Sequence, residues 1–361
     1  MPRRFLALFF AVFFALTALF AGTVYVLDPY YHFHGPVLGM PLWLRYPRYQ
    51  SPGAAKNLPY DHLLLGTSVT ANFHTDQFDE ALGGRTQKII IHGAYFEELL
   101  RPLDIALETH DLDQIFWGVD SDCWRKYDAD NTWEDASYLF DNNPFNDLHY
   151  LLNKEMVFYT LTEMVDDLRA GGTDDEHTGG YIWGDDKEWS KEAALATYQR
   201  QAEKAAQQVP ADSLLAPAEE NLSHVLARVD ANPQITFTFY LPPASILFWD
   251  KTDRNGEIEA TLTMQQKVLE ELTSRPNTRV FYFMDDLDLI TSLDNYCDHV
   301  HYSPAVCQEL AHRILQDQPM TQEEIAPRIA AFRAFLQSYD IDALFDSYTR
   351  RFADHSKPSF L

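Results

Sequence analysis

The sequence predicts an α/β fold in which a central, mostly parallel β-sheet lies between two layers of helices. One transmembrane helix is predicted at the N-terminus. Three observations lead to this prediction. Short apolar runs alternate with helical stretches from about residue 60 onward, which is typical of βαβ units around a parallel sheet. The chain begins with a long apolar stretch that carries no charge. Its 361 residues, 46% of them hydrophobic, are enough for a substantial core.

The first element is the apolar segment from Phe5 to Leu27, which contains no charged residue. Its length suits a helix that crosses a bilayer. Arg3 and Arg4 precede it and Asp28 follows it, so the positive-inside rule puts the N-terminus in the cytoplasm and the rest of the chain outside. A cleaved signal peptide is the alternative, but no good small-x-small site ends the apolar run. We therefore expect a membrane-anchored protein whose main domain is extracytoplasmic.

Composition divides the chain into four regions. Residues 1–27 form the cytoplasmic tip and the anchor, and residues 28–58 form an ordered juxtamembrane segment rich in Pro, Gly, Tyr and Arg. Residues 59–318 form the main domain, with an insertion at about 121–190 that is rich in Asp, Asn, Trp, Tyr and Gly. Residues 319–361 form a C-terminal helical extension.

The main domain is expected to alternate strands with helices. The predicted strands are Tyr60–Leu65, Lys88–Ile91, Gln114–Val119, Ile235–Tyr240 and Arg279–Met284. The predicted helices are Asp76–Leu82, Tyr95–His110, Lys191–Gln208, Ala218–Val229 and Leu262–Thr273. Two more helices begin at capping signals, one at Ser303-Pro304 and one at the capping box of Thr321 and Glu324.

Charge and cysteine content narrow the class of protein. The formal charge of −26 argues against nucleic acid as a partner, because binding phosphates requires a basic surface. It also disfavours docking of the main domain on anionic lipid headgroups. The three cysteines, Cys123, Cys297 and Cys307, form no CxxC pair and no disulfide framework. One disulfide bond and a buried reduced state both remain open.

Reactive and small residues follow the predicted strands. In an open parallel sheet, ligands bind outside the carboxyl ends of the strands. A serine, a histidine and an acid are therefore expected on one face, and these are the parts of a nucleophile, base and orienter triad. Ser68 follows the first strand, Gly93 the second and Asp120 the third. Asp298 and His301 follow the fifth strand.

Two of these segments resemble the sequence blocks of the SGNH (GDSL-like) hydrolase superfamily. "LLLGTS" is similar to the block around the superfamily's serine, with Thr67 in place of Asp, and "DHVH" is similar to its Asp-x-x-His block. The resemblance covers about residues 60–315 outside the insertion and implies a flavodoxin-like three-layer α/β/α fold. It also implies that Ser68 is the nucleophile, His301 the general base and Asp298 the residue that orients the imidazole.

The resemblance further implies an oxyanion hole, and here the sequence departs from the pattern. In the superfamily the donors are the backbone N–H of the nucleophile, a glycine and an asparagine; Gly93 fits the glycine, but Asp120 occupies the asparagine position in "WGVDSD". An ionised carboxylate cannot donate a hydrogen bond to an oxyanion, and a missing donor costs about 3 kcal/mol of transition-state stabilisation. Asp120 has an alternative role in holding a sugar hydroxyl or an amine of the substrate.

One N-terminal anchor followed by such a domain resembles the extracytoplasmic members of the superfamily that act in teichoic-acid D-alanylation and alginate acetylation. This narrower resemblance implies serine-dependent acyl transfer or ester hydrolysis on the O-acyl groups of cell-envelope glycopolymers, or on a small acyl ester. It implies no cofactor, and it implies a membrane acyltransferase as a partner.

Each of these interpretations has a simpler alternative. The alternative for Ser68 is a helix N-cap, because serine is a common capping residue. The alternative for His301 is a core or capping histidine near Ser303. His299 and His301 form an H-x-H pattern that, with Asp298, suggests a zinc site, although no further ligands are apparent. The alternative for the whole domain is a catalytically inactive module that binds envelope glycans or scaffolds an assembly partner.

Overall fold

The computed structural model describes residues 2–125, 134–141, 143–172 and 174–346. It contains a five-stranded, mostly parallel sheet in the order β2-β1-β3-β4-β5 with flanking helices, which confirms the predicted α/β class. Parts of the predicted insertion (126–133, 142 and 173) and the end of the predicted C-terminal extension (347–361) lie outside the described residues. The strands are β1 His62–Gly66, β2 Thr86–Ile90, β3 Gln114–Gly118, β4 Thr236–Leu241 and β5 Thr278–Tyr282.

The described helices alternate with the strands along much of the chain. They are α1 Pro2–Leu27, α2 Pro47–Asn57, α3 Thr75–Leu82, α4 Phe96–Thr109, α5 Leu148–Leu151, α6 Leu161–Arg169, α7 Asp175–Thr178, α8 Lys191–Thr197, α9 Leu215–Ala231, α10 Ile246–Arg254, α11 Ile258–Thr273, α12 Leu287–Thr291, α13 Pro304–Gln316 and α14 Gln322–Ser338.

The chain forms two compact units. The first unit consists of Met1–Ile115 and Asp128–Trp183, and the second unit consists of Phe116–Tyr127 and Gly184–Leu361. Each unit has its own parallel strand pair. In the first, β1 pairs with β2, and in the second, β4 pairs with β5.

The core of the first unit forms around β1 and β2. Every residue of both strands is buried, as expected for parallel strands covered on both faces. The register pairs Leu65 with Ile89 and Gly66 with Ile90. Helices α2 and α3 pack against β2, and α4 packs against β1 and α2. The two strands therefore end side by side.

Helix α2 lies within the predicted juxtamembrane segment but was not predicted as a helix. Pro47 begins it, and both Pro52 and Gly53 lie inside it, so its sequence has low helix propensity. Gly53 is required by packing, because a Cβ at this position would lie 2.1 Å from the carbonyl oxygen of Tyr30. Tertiary contacts thus determine this helix.

The core of the second unit forms around β4, β5 and α11. Strand β4 pairs with β5 in a register that places Leu241 opposite Tyr282. Helix α11 packs against β5, α9, α10 and α14. Helix α10 follows the Pro242-Pro243 end of β4, and the Ser245 side chain caps it by accepting a hydrogen bond from the Leu247 N–H.

One predicted helix, Lys191–Gln208, is wrong over its second half, because α8 ends at Thr197. Beyond that point, hydrogen bonds to other elements replace helical ones. The Tyr198 hydroxyl and the Arg200 guanidinium both donate to Asp250 at 2.9 Å, and the Ala205 N–H donates to the carbonyl oxygen of Arg254 at 2.7 Å. The helix-forming residues of this segment are thus overridden by tertiary contacts.

Helix α1 is long and apolar enough to span a membrane. Its Arg3–Leu27 part has a mean hydropathy of 2.5 over its most apolar window, and none of that window is buried in the protein. A signal sequence meets the same criteria of length and composition. The helix ends at Leu27, directly before Asp28.

The three cysteines are free thiols. Cys123, Cys297 and Cys307 are all buried, and none forms a disulfide. Of the two states that the sequence leaves open, the structure has the buried reduced one.

Candidate active site

Ser68 lies in a run of turns directly after β1. The Thr70 N–H donates to the carbonyl of Thr67 at 3.0 Å, and the Ala71 N–H donates to the carbonyl of Ser68 at 3.3 Å. The next helix, α3, begins only at Thr75 and has His74 as its N-cap residue. Ser68 is therefore not the cap of the helix that follows β1. Its side chain is half-buried.

Trp183 stabilises the turn that contains Ser68. Its indole Nε1–H donates to the carbonyl of Ser68 at 2.9 Å, and its backbone N–H donates to the Asn72 side chain at 3.0 Å. Asn72 is buried. Two hydrogen bonds from one residue thus bind both ends of the turn.

The buried side chain of Lys88 supports the same turn from β2. Its Nζ donates to the carbonyl oxygens of Phe73 at 2.8 Å and Thr178 at 2.9 Å, and it also donates to Ala71. Burying an ammonium group is costly unless its protons have acceptors. These carbonyls supply the acceptors, so the cation fixes the chain that follows Ser68.

Gly93 lies in the turn after β2, the strand next to β1. The Ile91 N–H donates to the carbonyl of Gly66 at 3.1 Å and continues the ladder to the ends of both strands. Gly93 has a φ of +65° and is exposed, and a Cβ there would meet nothing within 4 Å. Its backbone conformation, rather than crowding, is what favours glycine. Ser68 and Gly93 thus follow the carboxyl ends of two adjacent strands.

Asp298 and His301 form a direct hydrogen-bonded pair in the second unit. Asp298 Oδ2 lies 2.6 Å from His301 Nδ1, and Asp298 Oδ1 accepts the backbone N–H groups of Val300 and His301, each at 2.8 Å. When the neutral imidazole donates from Nδ1, its lone pair lies on Nε2. This is the tautomer that a general base requires.

These contacts also shift the pKa of Asp298. Burial on its own raises this pKa, but the hydrogen bonds from His301 and Val300 and the charge of His301 outweigh burial and lower it to about 2. The carboxylate is therefore ionised at neutral pH and carries the charge that stabilises an imidazolium.

The segment that carries the pair is held in place on both sides. The Cys297 N–H donates to the carbonyl of His301 at 3.2 Å. The Ser245 hydroxyl, at the start of α10, donates to the carbonyl of His299 at 2.8 Å. The "DHVH" segment is thus attached to the chain that follows β4.

Asp120 lies directly after β3 in the second unit. The Val119 N–H donates to the carbonyl of Tyr240 at 3.0 Å, so the chain is still paired with β4 immediately before Asp120. The carbonyl of Asp120 accepts the Cys123 N–H at 3.1 Å in the following 3-10 turn. Burial raises the pKa of Tyr302 well above its ordinary value, and the nearby charge of Asp120 adds to this shift.

The predicted site residues thus fall into two groups. Ser68 and Gly93 belong to the first unit, where they follow neighbouring strands. Asp120, Asp298 and His301 belong to the second unit, where Asp298 and His301 are in direct contact.

Two other side chains of this region, His299 and Cys297, bear on its chemistry. The His299 Nε2 lies 3.4 Å from the Lys251 ammonium, a neighbour that disfavours a metal cation, and no cluster of three or more His, Cys, Asp or Glu side chains is arranged around a metal position within the described ranges. Burial, with the charge of Asp298, raises the pKa of the Cys297 thiol to about 11, so this cysteine is not a thiolate nucleophile at neutral pH.

Sequence reasoning missed two residues that build these groups, namely Trp183 and Lys88. Trp183 lies in a Gly-rich segment that reads only as a loop. Lys88 had a usable signal, because a lysine inside an otherwise apolar strand must find buried acceptors.

The chain matches no protein-family model and no curated protein sequence. It is similar to a solved structure described as "a putative platelet activating factor from Streptococcus pneumonia". The similarity has a TM-score of 0.40 and 14% sequence identity, and it covers 75% of this chain and 90% of the other. A similarity at this level supports no functional assignment.

Proposed function

We propose that the protein is a membrane-anchored, serine-dependent esterase or acyltransferase that acts on O-acyl groups outside the cytoplasm. The observation that carries this proposal is the hydrogen bond of 2.6 Å between His301 Nδ1 and the ionised Asp298. An ionised carboxylate can only accept a hydrogen bond, so the imidazole donates from Nδ1. Nε2 of the neutral ring then carries the lone pair that takes a proton, as a general base must. Ser68 lies in a hydrogen-bonded turn directly after β1, and this position supports its role as the nucleophile.

In the proposed reaction, the Ser68 hydroxyl attacks the acyl carbonyl while His301 Nε2 takes its proton. The C–O bond to the leaving alcohol then breaks, and His301 returns the proton to that alcohol. Water or a glycan hydroxyl next attacks the acyl-enzyme while His301 takes its proton, the bond between the acyl carbon and Ser68 Oγ breaks, and His301 returns the proton to Ser68. Asp298 holds the imidazole and stabilises its charged form. No cofactor is required.

The proposed oxyanion donors are the backbone N–H groups of Ser68 and Gly93. A donor is most effective when its position is fixed before the reaction. The bonds from Trp183 support this requirement for the Ser68 turn. Asp120 is proposed as a substrate contact that accepts a hydroxyl or amine, because its carboxylate cannot donate to an oxyanion.

The proposed substrates are acylated cell-envelope glycopolymers, with small acyl esters as simpler substitutes. This class follows from the resemblance of the motifs and from an anchor that would hold the domain at the membrane. A membrane acyltransferase is the proposed partner that supplies acyl groups.

Acetyl release from an acetylated glycan and from an aryl acetate tests the proposal. We expect release by the wild-type protein and a loss of at least about 10³-fold in Ser68→Ala. Adding a deacylated glycan acceptor separates the two reactions, since a transferase produces acylated acceptor and a hydrolase produces free acetate. Equal release by the wild-type protein and Ser68→Ala contradicts the proposal.

The second candidate function is an inactive module that binds envelope glycans or scaffolds an assembly partner. The observation that favours it is the carboxylate of Asp120 at the position where a donor is expected. Asp120→Asn discriminates between the two, because an amide adds a donor that is worth up to about 10²-fold in kcat. We expect a higher kcat on an aryl acetate in Asp120→Asn than in Asp120→Ala. If wild type and both variants release no acetyl, the inactive module is the correct function.

A further inference from the structure

Three large apolar side chains form an exposed face at and around α5. Phe145 is 87% exposed, Leu148 is 57% exposed and Leu152 is 42% exposed. Leu148 and Leu152 are four residues apart and lie on one side of this helical turn, and Phe145 lies in the turn just before α5. We call these three residues the α5 apolar face. Exposing three such side chains together to water is unfavourable, so covering them with an apolar surface stabilises the protein.

The α5 apolar face lies beside the outer end of α1. Helix α5 packs against α1. Tyr150, on the opposite side of α5, is fully buried, and its hydroxyl donates to Asp28 at 2.8 Å. At 1.5 Å rise per residue, Leu148 and Leu152 are each within about 3 Å of Tyr150 along the helix axis. The exposed face is therefore next to the point at which α1 ends.

The junction between α1 and the rest of the first unit is rigidly bonded. The buried carboxylate of Asp28 accepts the backbone N–H groups of His32, Phe33 and His34 at 2.7–3.0 Å. The His34 ring also meets the carbonyl of Tyr25, in the last turn of α1, at 2.8 Å. These bonds order the segment that follows α1 around Asp28, and α5 joins it through the Tyr150 hydroxyl, which donates to the same carboxylate.

We infer that the α5 apolar face inserts into the interfacial layer of the bilayer beside α1, as a second membrane contact. Helix α5 packs against α1, and the last turn of α1 is itself apolar and exposed, with Tyr25 49% and Val26 42% exposed. A bilayer that covers Tyr25 and Val26 also reaches the adjoining α5. The net charge of −26 disfavours attraction to anionic headgroups as the driving force. The contact is thus apolar insertion, and it operates on zwitterionic lipid.

Depth-dependent quenching tests the inference on the full-length protein in phosphatidylcholine nanodiscs. The variants Phe145→Cys and Leu148→Cys carry an environment-sensitive nitrobenzoxadiazole label, and the unsubstituted protein gives the background from its buried cysteines. Glu80→Cys is the control, because Glu80 is an exposed position on α3, which packs against β2 and α7. All three positions are exposed, so the substitutions leave the core unchanged.

We expect blue-shifted emission and at least about twofold quenching by shallow nitroxide lipids at positions 145 and 148, with neither effect at position 80. Water-like emission and no quenching at positions 145 and 148 overturn the inference. Shielding that appears only after a second membrane protein is added also overturns it, and assigns the face to a protein partner. Failure of the chain to co-elute with nanodiscs removes the anchor on which the inference rests and likewise overturns it.

Discussion

The carboxylate of Asp298 has three hydrogen-bond donors within one short segment, two backbone N–H groups and the His301 ring. Such an arrangement binds the ionised form in preference to the protonated one. It fixes the orientation of His301 without any contribution from a substrate. At the scale of single residues, this pair is the part of the proposed chemistry that is already in place.

The pH dependence of stability follows from this pair. The pKa of Asp298 in the folded protein is about 2, below its ordinary value of 3.8. A lowered pKa contributes stability above the unfolded value and loses it as the pH falls through the folded one. We therefore expect Asp298→Asn to destabilise the protein at pH 7 and at pH 5, with the difference from wild type shrinking between pH 4 and pH 2. Chemical denaturation at each pH measures it, and a difference that is constant with pH contradicts it.

Single residues also mark how far the sequence allowed prediction of the site. Ser68, Asp298 and His301 were predicted as site residues because short motifs carry them. Trp183 was not, because its contact with Ser68 joins residues 115 positions apart and leaves no local pattern. Contacts of this kind depend on the tertiary fold, which motifs do not encode.

At the scale of elements, the ends of β1 and β2 carry the proposed oxyanion donors. The turn after β2 needs a glycine because Gly93 has a φ of +65°. Gly83, at the end of α3, serves as a control with positive φ, since its φ is +75° and a Cβ at either position meets nothing within 4 Å. Its ψ of 161° puts it in a backbone region that is almost restricted to glycine. The two glycines therefore share a positive φ and an uncrowded Cβ position, and they differ in their proposed role.

We expect Gly93→Ala and Gly83→Ala each to destabilise the protein by about 1–3 kcal/mol, because both force alanine into a backbone conformation with positive φ. Only Gly93→Ala is expected to lower kcat on an aryl acetate, because only that change shifts a proposed donor. Chemical denaturation and steady-state kinetics on both variants measure the two effects. Equal kcat values in the two variants exclude Gly93 from the oxyanion hole.

Elements differ in how well the sequence predicted them, and the reason is physical. The strands were predicted to within a few residues because buried parallel strands form continuous apolar runs. Helix α2 was missed because Pro52 and Gly53 lie inside it. The helix predicted over Lys191–Gln208 was too long because residues beyond Thr197 donate hydrogen bonds to Asp250 and to the carbonyl of Arg254 instead of to helical carbonyls.

At the scale of the whole molecule, α1 joins the two-unit domain to a membrane in our proposal. The sequence predicted an apolar helix from Phe5 to Leu27 because that stretch carries no charge, and the structure has the helix over Pro2–Leu27. What the sequence did not indicate is the bonded junction at Asp28, because that junction depends on Tyr150, which lies 122 residues away.

An uncleaved anchor predicts a specific fractionation. We expect the protein to stay with membranes through high salt and alkaline carbonate and to be released by detergent, because a spanning helix is held by its apolar area rather than by charge. An impermeant maleimide should label Glu80→Cys in intact cells if the domain is extracytoplasmic. Release by carbonate, or labelling only after lysis, contradicts the proposed anchoring or the proposed sidedness, respectively.

The most direct test of the central claim is reaction with a fluorophosphonate, which traps a serine that an adjacent base activates. Intact-mass and peptide measurements locate the adduct. We expect one adduct on Ser68 in the wild-type protein, none in Ser68→Ala, and labelling slowed by at least about 10³-fold in His301→Ala. Absence of any adduct in the wild-type protein, or an adduct at another residue that persists in Ser68→Ala, contradicts the claim that Ser68 is the nucleophile.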